Sequence, residues 1–408
     1  MSGYNINLHE AIYSLSDTLD LVGVTHIHHG KHVAYMAAEF GKQMGWPQSQ
    51  LDDLFQAAIL HDSGVSKTTV HTRLAQFQWE NEAEHCQVGA ALLGSCPMLR
   101  CLAPIVLHHH THWSELKEAD LPPEVKLSAN CIYLADRIDI LVLKFLAGGD
   151  DILLGREPIR NTILEKRGDW FCPELVDAFM AVSNSAAFWF SLESDHVNGY
   201  VTTWLAETTE RNMSFEELRS LVQVFSSIVD AKSSYTREHS EGVASLSRYL
   251  GTLFGLSRET CEMLELTGLL HDLGKLRVPD ELLEKPHRLT AEESLTMRRH
   301  SFDTYNVLKN ITGLEQVALW AGQHHERVDG SGYPGKVGGG SLSLEARIIE
   351  VADVFQALAQ RRPYRDALPQ DEILHILKEY VGSGKLDGDV VAQVETHLAE
   401  CWRAAVID

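Results

Sequence analysis

The sequence has little positive charge for its length. Lys and Arg together number 35 against 57 Asp and Glu, so the 408-residue chain has a formal net charge of −22. A protein that follows the phosphate backbone of DNA or RNA needs a basic surface, and this balance therefore argues against nucleic-acid binding. A small anionic ligand is still compatible with it, provided that a local cluster of cations overcomes the surrounding negative charge.

Cysteine pairs, signal segments and long apolar runs are also missing. The seven cysteines include no Cys-x-x-Cys pair, and their number is odd. Most lie in apolar or helical stretches, which is typical of reduced, buried thiols in a cytosolic protein. The N-terminus lacks a basic segment leading into an apolar one, and no run of about 18 apolar residues occurs. We therefore expect a cytoplasmic protein without a signal peptide or a transmembrane helix.

Strand patterns are scarce, and most long segments space their apolar residues as helices do. The pairs Ser214/Glu217 and Thr290/Glu293 have the pattern of a helix-capping box, and Ser257 begins a further helix. The glycines in GYPGKVGGGSLSL (332–344) allow a short hairpin. We predict a mainly α fold whose β structure is at most this hairpin.

What the chain has in abundance is histidine, with 21 residues. Two histidine intervals, of 32 and of 24 residues, each occur once in either half of the chain: His29–His61 and His239–His271, then His85–His109 and His300–His324. Each half then reaches an Ala-Asp pair in a helical stretch, at Asp136 and at Asp353. Such repetition predicts two related helical bundle domains, residues 1–200 and residues 201–408.

Each half contains the same set of five histidines and two aspartates. In the second half this set is His239, His271, Asp272, His300, His324, His325 and Asp353. A single buried histidine is more often a hydrogen-bonded core residue, but a whole set is costly to bury unless metal ions compensate it. Seven ligands suit two ions that share a carboxylate, and Asp272 fits that bridge because its neighbour His271 can bind one of them. Imidazole with carboxylate favours iron, manganese or zinc.

These motifs resemble the HD-GYP family of bacterial cyclic-dinucleotide phosphodiesterases. The resemblance covers roughly residues 214–408 and rests on LLHDLGKLRVPDELL, HHERVDGSGYP and ARIIEVADVFQALAQRRPYR. The first half resembles the broader HD superfamily of metal-dependent phosphohydrolases and lacks the Gly-Tyr-Pro loop. The tandem arrangement is also similar to that of enzymes that degrade 3′,3′-cyclic GMP-AMP.

The resemblance implies roles for residues beside the metals. Asp272 and Lys275 are the implied catalytic residues, and Lys275 would contact the scissile phosphate. Tyr333 belongs to the loop beside the substrate. Arg362 and Arg365 match the phosphate-binding positions of the family and offer the cations that this acidic chain needs. A solvated surface pair is the alternative interpretation of these two arginines.

Two positions depart from the family pattern. Some members hold a third metal through a glutamate four residues before the first histidine, where this chain has Tyr235, so we expect two ions, iron or manganese. The family often has aspartate at the position of Gln356, and the resemblance does not say what this changes.

The implied reaction opens a cyclic dinucleotide to a linear product with a 5′ phosphate. The tandem arrangement favours 3′,3′-cyclic GMP-AMP, which would give 5′-pApG, with cyclic di-GMP as the next candidate. The alternative is a catalytically silent sensor that binds the dinucleotide and signals to a protein partner. A nuclease is opposed by the charge of −22, and a homodimer is left open.

The first half repeats the whole ligand set as His29, His61, Asp62, His85, His109, His110 and Asp136. It has Val65 where the second half has Lys275, and THWSELKEAD replaces the Gly-Tyr-Pro loop. Drift in a relic should remove uncompensated buried ligands first. We therefore expect metal in this half as well, serving either regulation or, as HD nucleotidases suggest, removal of the 5′ phosphate from the linear product. A metal-free relic is the alternative.

Overall fold

The protein is almost entirely helical in a computed structural model that describes residues 3–20, 28–65, 83–147, 151–206, 211–232, 237–285, 287–361 and 366–406. The predicted mainly α class is confirmed. The α-helices of the first half are Leu8–Asp20, His29–Gln43, Gln48–Ile59, Ala83–Ser95, Ala103–Leu107, Trp113–Leu116, Pro123–Ala147, Ile152–Leu164, Pro173–Val182, Ala186–Phe190 and Ser194–Ala206. Those of the second half are Phe215–Asp230, Arg237–Leu253, Arg258–Leu270, Asp280–Leu283, Ala291–Leu308, Glu315–Gln323, Leu344–Ala359, Gln370–Gly382, Gly388–Thr396 and Leu398–Ala405.

The chain divides into two compact units. One is Leu8–Glu210, and the other joins Met1–Asn7 to Arg211–Asp408. The first residues belong to the second unit because strand Tyr4–Ile6 pairs antiparallel with strand Arg211–Met213. No sequence pattern had indicated this two-stranded sheet, since three-residue strands are too short to show an alternation.

The short hairpin that the glycines of residues 332–344 allowed does not form. Residues 324–343 are all described and contain no strand. The backbone N–H groups of Gly335 and Val337 donate instead to the carboxylate of Glu326, at 2.6 and 2.9 Å. A side chain thus takes the place of the partner strand that a ladder would need.

The predicted helix starts are confirmed. Ser214 and Thr290 each accept the N–H of the glutamate three residues later, and both capping boxes are complete. Ser257 accepts the N–H of Thr260 at the start of the next helix. These caps satisfy N–H groups that have no partner within their own helix, so local sequence places these ends without help from packing.

The core of the second unit surrounds the Leu344–Ala359 helix, which packs against Arg237–Leu253. Phe355 and Val351 are fully buried in it. In the first unit, His29–Gln43 packs against Gln48–Ile59 and Pro123–Ala147. The buried helices in each unit therefore carry the first histidine and the last aspartate of the repeated set.

All seven cysteines are free thiols. Six are buried as predicted, whereas Cys101, on the short 3-10 turn Arg100–Leu102, is exposed. Across the described ranges, no helix combines the length and the apolar character that crossing a bilayer requires.

Candidate metal centres and the pocket beside them

The seven predicted ligands of the second unit converge in its interior. They come from several helices and from the turn after Arg258–Leu270, where His271 is the helix C-cap. Tight packing aligns this turn with the Ala291–Leu308 helix, because a Cβ on Gly274 would lie 2.1 Å from the carbonyl oxygen of His300. Only glycine permits this approach. The first unit repeats it, since a Cβ on Gly64 would lie 2.0 Å from the carbonyl oxygen of His85.

The converging side chains form two groups of three. Ligand atoms of His239, His271 and Asp353 lie within 4.8 Å of one another, and so do those of His300, His324 and His325. The Nε2 atoms of His239 and His271 are 3.2 Å apart, and those of His300 and His324 are 3.1 Å apart.

Asp272 lies between the two groups and turns one oxygen toward each. Its Oδ2 is 3.2 Å from Nε2 of His271 and 3.6 Å from Nε2 of His239. Its Oδ1 is 3.5 Å from Nε2 of His300. This is the placement that a carboxylate shared by two ions requires.

Backbone hydrogen bonds settle which ring nitrogens are free to bind. Nδ1 of His271 donates to the Gly268 carbonyl at 2.7 Å, and Nδ1 of His324 donates to the Ala321 carbonyl at 2.6 Å. His300 does the same to the Met297 carbonyl at 2.6 Å. In a neutral imidazole the other nitrogen then carries a lone pair. Lone pairs that face each other at about 3 Å repel unless a cation lies between them.

Burial lowers the pKa of four of the imidazoles, those of His239, His300, His324 and His325. Burial also acts to lower the pKa of His271, but the adjacent Asp272 carboxylate raises it above the usual value. Burial, together with His271 and His300, lowers the pKa of His324 to about 3. Burial also lowers the pKa of His300 to about 4. Burial alone would raise the pKa of Asp272, but His271 and Lys275 hold it well below its usual value. Neutral imidazoles and ionised carboxylates are the states in which such side chains bind metal, and His271 would give up its proton on binding.

Gln356 orients the first histidine of the set. Its Oε1 accepts from Nδ1 of His239 at 2.5 Å, while its amide donates to the Glu238 carbonyl at 3.3 Å. In the first unit the carboxylate of Asp139 accepts from Nδ1 of His29 at 2.6 Å. Gln356 stands where the family often has aspartate. It keeps the hydrogen bond to the ligand histidine but carries no negative charge.

Lys275 and Tyr333, two of the predicted substrate contacts, lie beside the two ligand groups. The Lys275 ammonium donates to Oδ2 of Asp272, and its side chain is 21% exposed. The Tyr333 ring centroid is 4.8 Å from that of His325. The other two predicted substrate contacts, Arg362 and Arg365, lie outside the described residues, as does Tyr235.

A buried side chain on the inner side of the Gly-Tyr-Pro loop holds it in place. Glu326 is 1% exposed and anchors the loop through the two backbone bonds described above. A Cβ on Gly332 would lie 2.5 Å from the backbone nitrogen of Arg327, so the chain can fold back on itself there only without a side chain. The Tyr333–Pro334 peptide bond is cis.

Three cations that sequence reasoning missed line an open pocket beside this loop. Its walls include Arg298, Arg327, Tyr333, Tyr380 and Lys385, and His325 connects it to the second ligand group. The Arg298 guanidinium lies 5.1 Å from the Tyr333 ring centroid. Only the tertiary structure brings these positions together, because they come from separate helices and loops of the chain.

The first unit assembles its seven predicted ligands in the same way. Nε2 of His29 is 3.3 Å from Oδ1 of Asp136, and Asp62 turns Oδ2 toward His61 and Oδ1 toward His85, both at 3.6 Å. Among the described residues, the first unit differs from the second in having a cation beside its last aspartate. The buried guanidinium of Arg137 donates to Oδ2 of Asp136 at 2.6 Å from Nη2 and 2.9 Å from Nε, so part of this carboxylate's charge is already compensated.

Comparison with known proteins shows which proteins share this arrangement. Models of the HD domain match residues 27–141 and residues 223–390. The chain is 38% identical to 3′3′-cGAMP-specific phosphodiesterase 1 of Vibrio cholerae, over 99% of this chain and 95% of that protein. It is 36% identical to the cyclic di-GMP phosphodiesterase response regulator RpfG of Xanthomonas campestris, over 42% of this chain and 45% of that protein. A crystal structure of a cyclic GMP-AMP-specific phosphodiesterase of V. cholerae has a similar fold, with a TM-score of 0.65, 23% identity and coverage of 97% of this chain and 98% of that one.

Proposed function

We propose that this chain, which belongs to the family of HD-domain cyclic-dinucleotide phosphodiesterases, opens the ring of 3′,3′-cyclic GMP-AMP to linear 5′-pApG. The observation that carries the proposal is the convergence in the second unit of two ligand groups on Asp272, with Lys275 against it. A binding protein needs no such paired groups to hold a phosphodiester, whereas a hydrolase uses them to activate water. The intact ligand set therefore favours the enzyme over the silent sensor.

The donor set fits two divalent ions. HD domains are metal-dependent, and the facing Nε2 lone pairs described above need a cation between them. His239, His271 and Asp353 would hold one ion, His300, His324 and His325 the other, and Asp272 both. When bound, such ions lower the pKa of water and neutralise charge on phosphoryl oxygens. Iron or manganese suits these nitrogen and oxygen donors.

The residues of the chain then bind and orient the diester. Lys275 can donate to a non-bridging oxygen of the scissile phosphate, because its ammonium lies beside Asp272 and is partly exposed. The other phosphate of the ring needs a second cationic partner, and Arg298 and Lys385 supply one in the pocket next to His325. Arg327 lines the same pocket, but its guanidinium is already bound to Glu350 at 2.7 Å. Arg362 and Arg365 are proposed as further phosphate contacts.

The base preference is supported by the extent of similarity. The relative that is named for 3′3′-cGAMP matches both units, whereas RpfG, which is named for cyclic di-GMP, matches less than half of the chain. An enzyme with both units in this arrangement is therefore the better model for this chain.

Competition between two substrates tests the proposal. Purified full-length protein with manganese or ferrous iron is given equal amounts of 3′,3′-cyclic GMP-AMP and cyclic di-GMP, and the products are separated by chromatography. We expect 5′-pApG to appear first, and two metal ions to remain bound in the second unit. The double variant His271→Ala/Asp272→Ala should form no product. Binding of the dinucleotide without any linear product would support the sensor instead, and faster loss of cyclic di-GMP would reverse the base assignment.

The first unit is proposed to bind metal and either to regulate the second or to release the 5′ phosphate of pApG. A small pocket beside its ligands is lined by Asp20, Ile59 and Val65, and no lysine or arginine lines it among the described residues. Burial raises the pKa of Asp20 to about 7. This lining favours regulation over binding of a dianionic phosphate. Phosphate release from pApG by the His271→Ala/Asp272→Ala variant would decide for the nucleotidase.

A further inference from the structure

Cys86 lies within the ligand set of the first unit. It follows His85 on the Ala83–Ser95 helix and is 3% exposed. Its Sγ and ligand nitrogens of His85, His109 and His110 all lie within 4.8 Å of one another. The corresponding residue of the second unit is Ser301, whose hydroxyl donates to the Arg298 carbonyl at 3.3 Å. The two units therefore differ in the chemistry of one side chain beside a ligand histidine.

Two distances within this cluster match those between ligands on one ion. A tetrahedral site with metal–nitrogen bonds of about 2.0–2.1 Å and a metal–sulfur bond of about 2.3 Å separates two nitrogens by about 3.3–3.4 Å, and nitrogen from sulfur by about 3.6 Å. The Nε2 atoms of His85 and His109 are 3.3 Å apart, and Sγ of Cys86 is 3.7 Å from Nε2 of His85.

Hydrogen bonding around the cluster points to an ion as well. Nδ1 of His109 donates to the Val106 carbonyl at 2.6 Å, so its Nε2 faces His85 with a lone pair. In the other ligand group of this unit, His61 is 1% exposed and its Nε2 has no hydrogen-bond partner among the described residues, which points to an ion in that group as well. A buried nitrogen in this state is costly unless something binds it.

We propose that Cys86 is a metal ligand and that, with His85, His109 and His110, it forms a zinc site in the first unit. Binding converts the thiol to a thiolate and releases its proton to solvent. A thiolate shifts the preference of the site from manganese toward zinc, unlike the nitrogen and oxygen donors of the second unit. With Cys86, four protein ligands would fill a tetrahedral shell without Asp62, whose Oδ1 is 3.6 Å from Nε2 of His85. A shell of four protein ligands is the arrangement of a structural rather than a water-activating ion. This inference is independent of the substrate proposed for the second unit.

Cobalt substitution in the full-length chain tests it. The metal-free protein is reloaded with Co²⁺, and the near-ultraviolet absorption that arises from thiolate-to-cobalt charge transfer is measured. We expect the band in the parent protein, its loss in Cys86→Ser, and its retention in Cys131→Ser, which alters another fully buried thiol of the same unit. A band of equal intensity in the Cys86→Ser protein, or its absence from the parent, would overturn the proposal.

Two further measurements separate loss of a ligand from loss of structure. Zinc X-ray absorption of the zinc-loaded parent, which needs no variant, should show sulfur at about 2.3 Å. Zinc retained against an excess of Mn²⁺ should drop by about one ion per chain in Cys86→Ser and remain unchanged in Cys131→Ser. A parent spectrum with nitrogen and oxygen scatterers alone would exclude Cys86 as a ligand.

Discussion

At the scale of single residues, the centre in the second unit differs from that in the first mainly in what surrounds equivalent ligands. Lys275 is replaced by buried Val65, and the amide of Gln356 by the carboxylate of Asp139. These exchanges leave the imidazoles in place while changing the charge beside them. Charge at such positions decides which ligand and which ion a shared arrangement accepts.

Replacing Lys275 by alanine should separate substrate binding from metal binding. The variant loses a charged hydrogen bond to the phosphate, which is worth about 1.5–3 kcal/mol, or roughly ten- to a hundredfold in kcat/KM. Its metal content should stay at the parent value, because the ligand set is intact. Steady-state kinetics and elemental analysis measure both. Lys378→Ala is the matched control, since that lysine is exposed and pairs with Glu395. Unchanged kcat/KM in Lys275→Ala would place the substrate elsewhere.

Replacing Gln356 by leucine should weaken the metal site without removing a ligand. His239 then loses the acceptor that orients its ring, and loss of such a supporting bond typically lowers metal affinity about ten- to a hundredfold. Gln356→Asp should recover most of the affinity, because the first unit uses Asp139 in the same place. Titration with Mn²⁺ in the presence of a competing chelator gives the affinities. Equal Mn²⁺ affinity for the parent and Gln356→Leu would show that Gln356 does not support the metal site.

At the scale of elements, a buried carboxylate and several backbone hydrogen bonds, rather than strand pairing, hold the Gly-Tyr-Pro loop. Glu326 accepts two backbone N–H groups, and Gly332 lets the chain pass close to Arg327. Tyr333 lies against His325, whose carbonyl accepts the Tyr333 N–H at 3.1 Å, and the loop lines the cationic pocket.

Glu326→Ala should therefore impair catalysis through the loop. Two backbone donors lose their acceptor, at a cost of roughly 1–3 kcal/mol each if they stay buried, so the loop should move to hydrate them. We expect a lower kcat/KM with unchanged metal content and a loop that proteases cut faster. Glu326→Gln, which retains one acceptor oxygen, should be milder, and exposed Glu372→Ala should behave as the parent. A loop as resistant to proteolysis in Glu326→Ala as in the parent would show that other contacts hold it.

At the scale of the whole molecule, the first residues of the chain complete the second unit. Strand Tyr4–Ile6 pairs with Arg211–Met213, and the Tyr4 hydroxyl donates to Glu262 at 2.6 Å. Ile6 is fully buried, and its Cδ1 approaches the backbone at Gly313. The chain therefore leaves the second unit after its first strand and returns to it at residue 211.

Ile6→Ala should lower the free energy of unfolding of the second unit by about 2–5 kcal/mol, because a fully buried side chain leaves a cavity. Ile6→Val removes one methylene group and should cost about 0.5–1.5 kcal/mol. Denaturant unfolding, followed together with loss of phosphodiesterase activity, measures the effect. A cost for Ile6→Ala no greater than that for Ile6→Val would show that the strand contributes little.

The sequence by itself determined the helical class and the capped helix starts, and it predicted the two sets of histidines and aspartates that the fold brings together. Helix caps depend on neighbouring residues only. The repeated histidine intervals indicate that similar helices follow one another in the same order in both halves. Burial of so many titratable side chains is costly without compensation, so their repetition already favoured metal chemistry.

Tertiary structure decided what depends on residues distant in sequence. The pairing of the first strand, the cations Arg298 and Lys385 beside the loop, and the role of Gln356 behind His239 have no local pattern. Cys86 looked like an ordinary buried thiol, because its neighbours His109 and His110 reach it only through packing of separate helices. A lone charged or sulfur side chain acquires its chemistry from the groups within a few ångströms, and those are set by the fold.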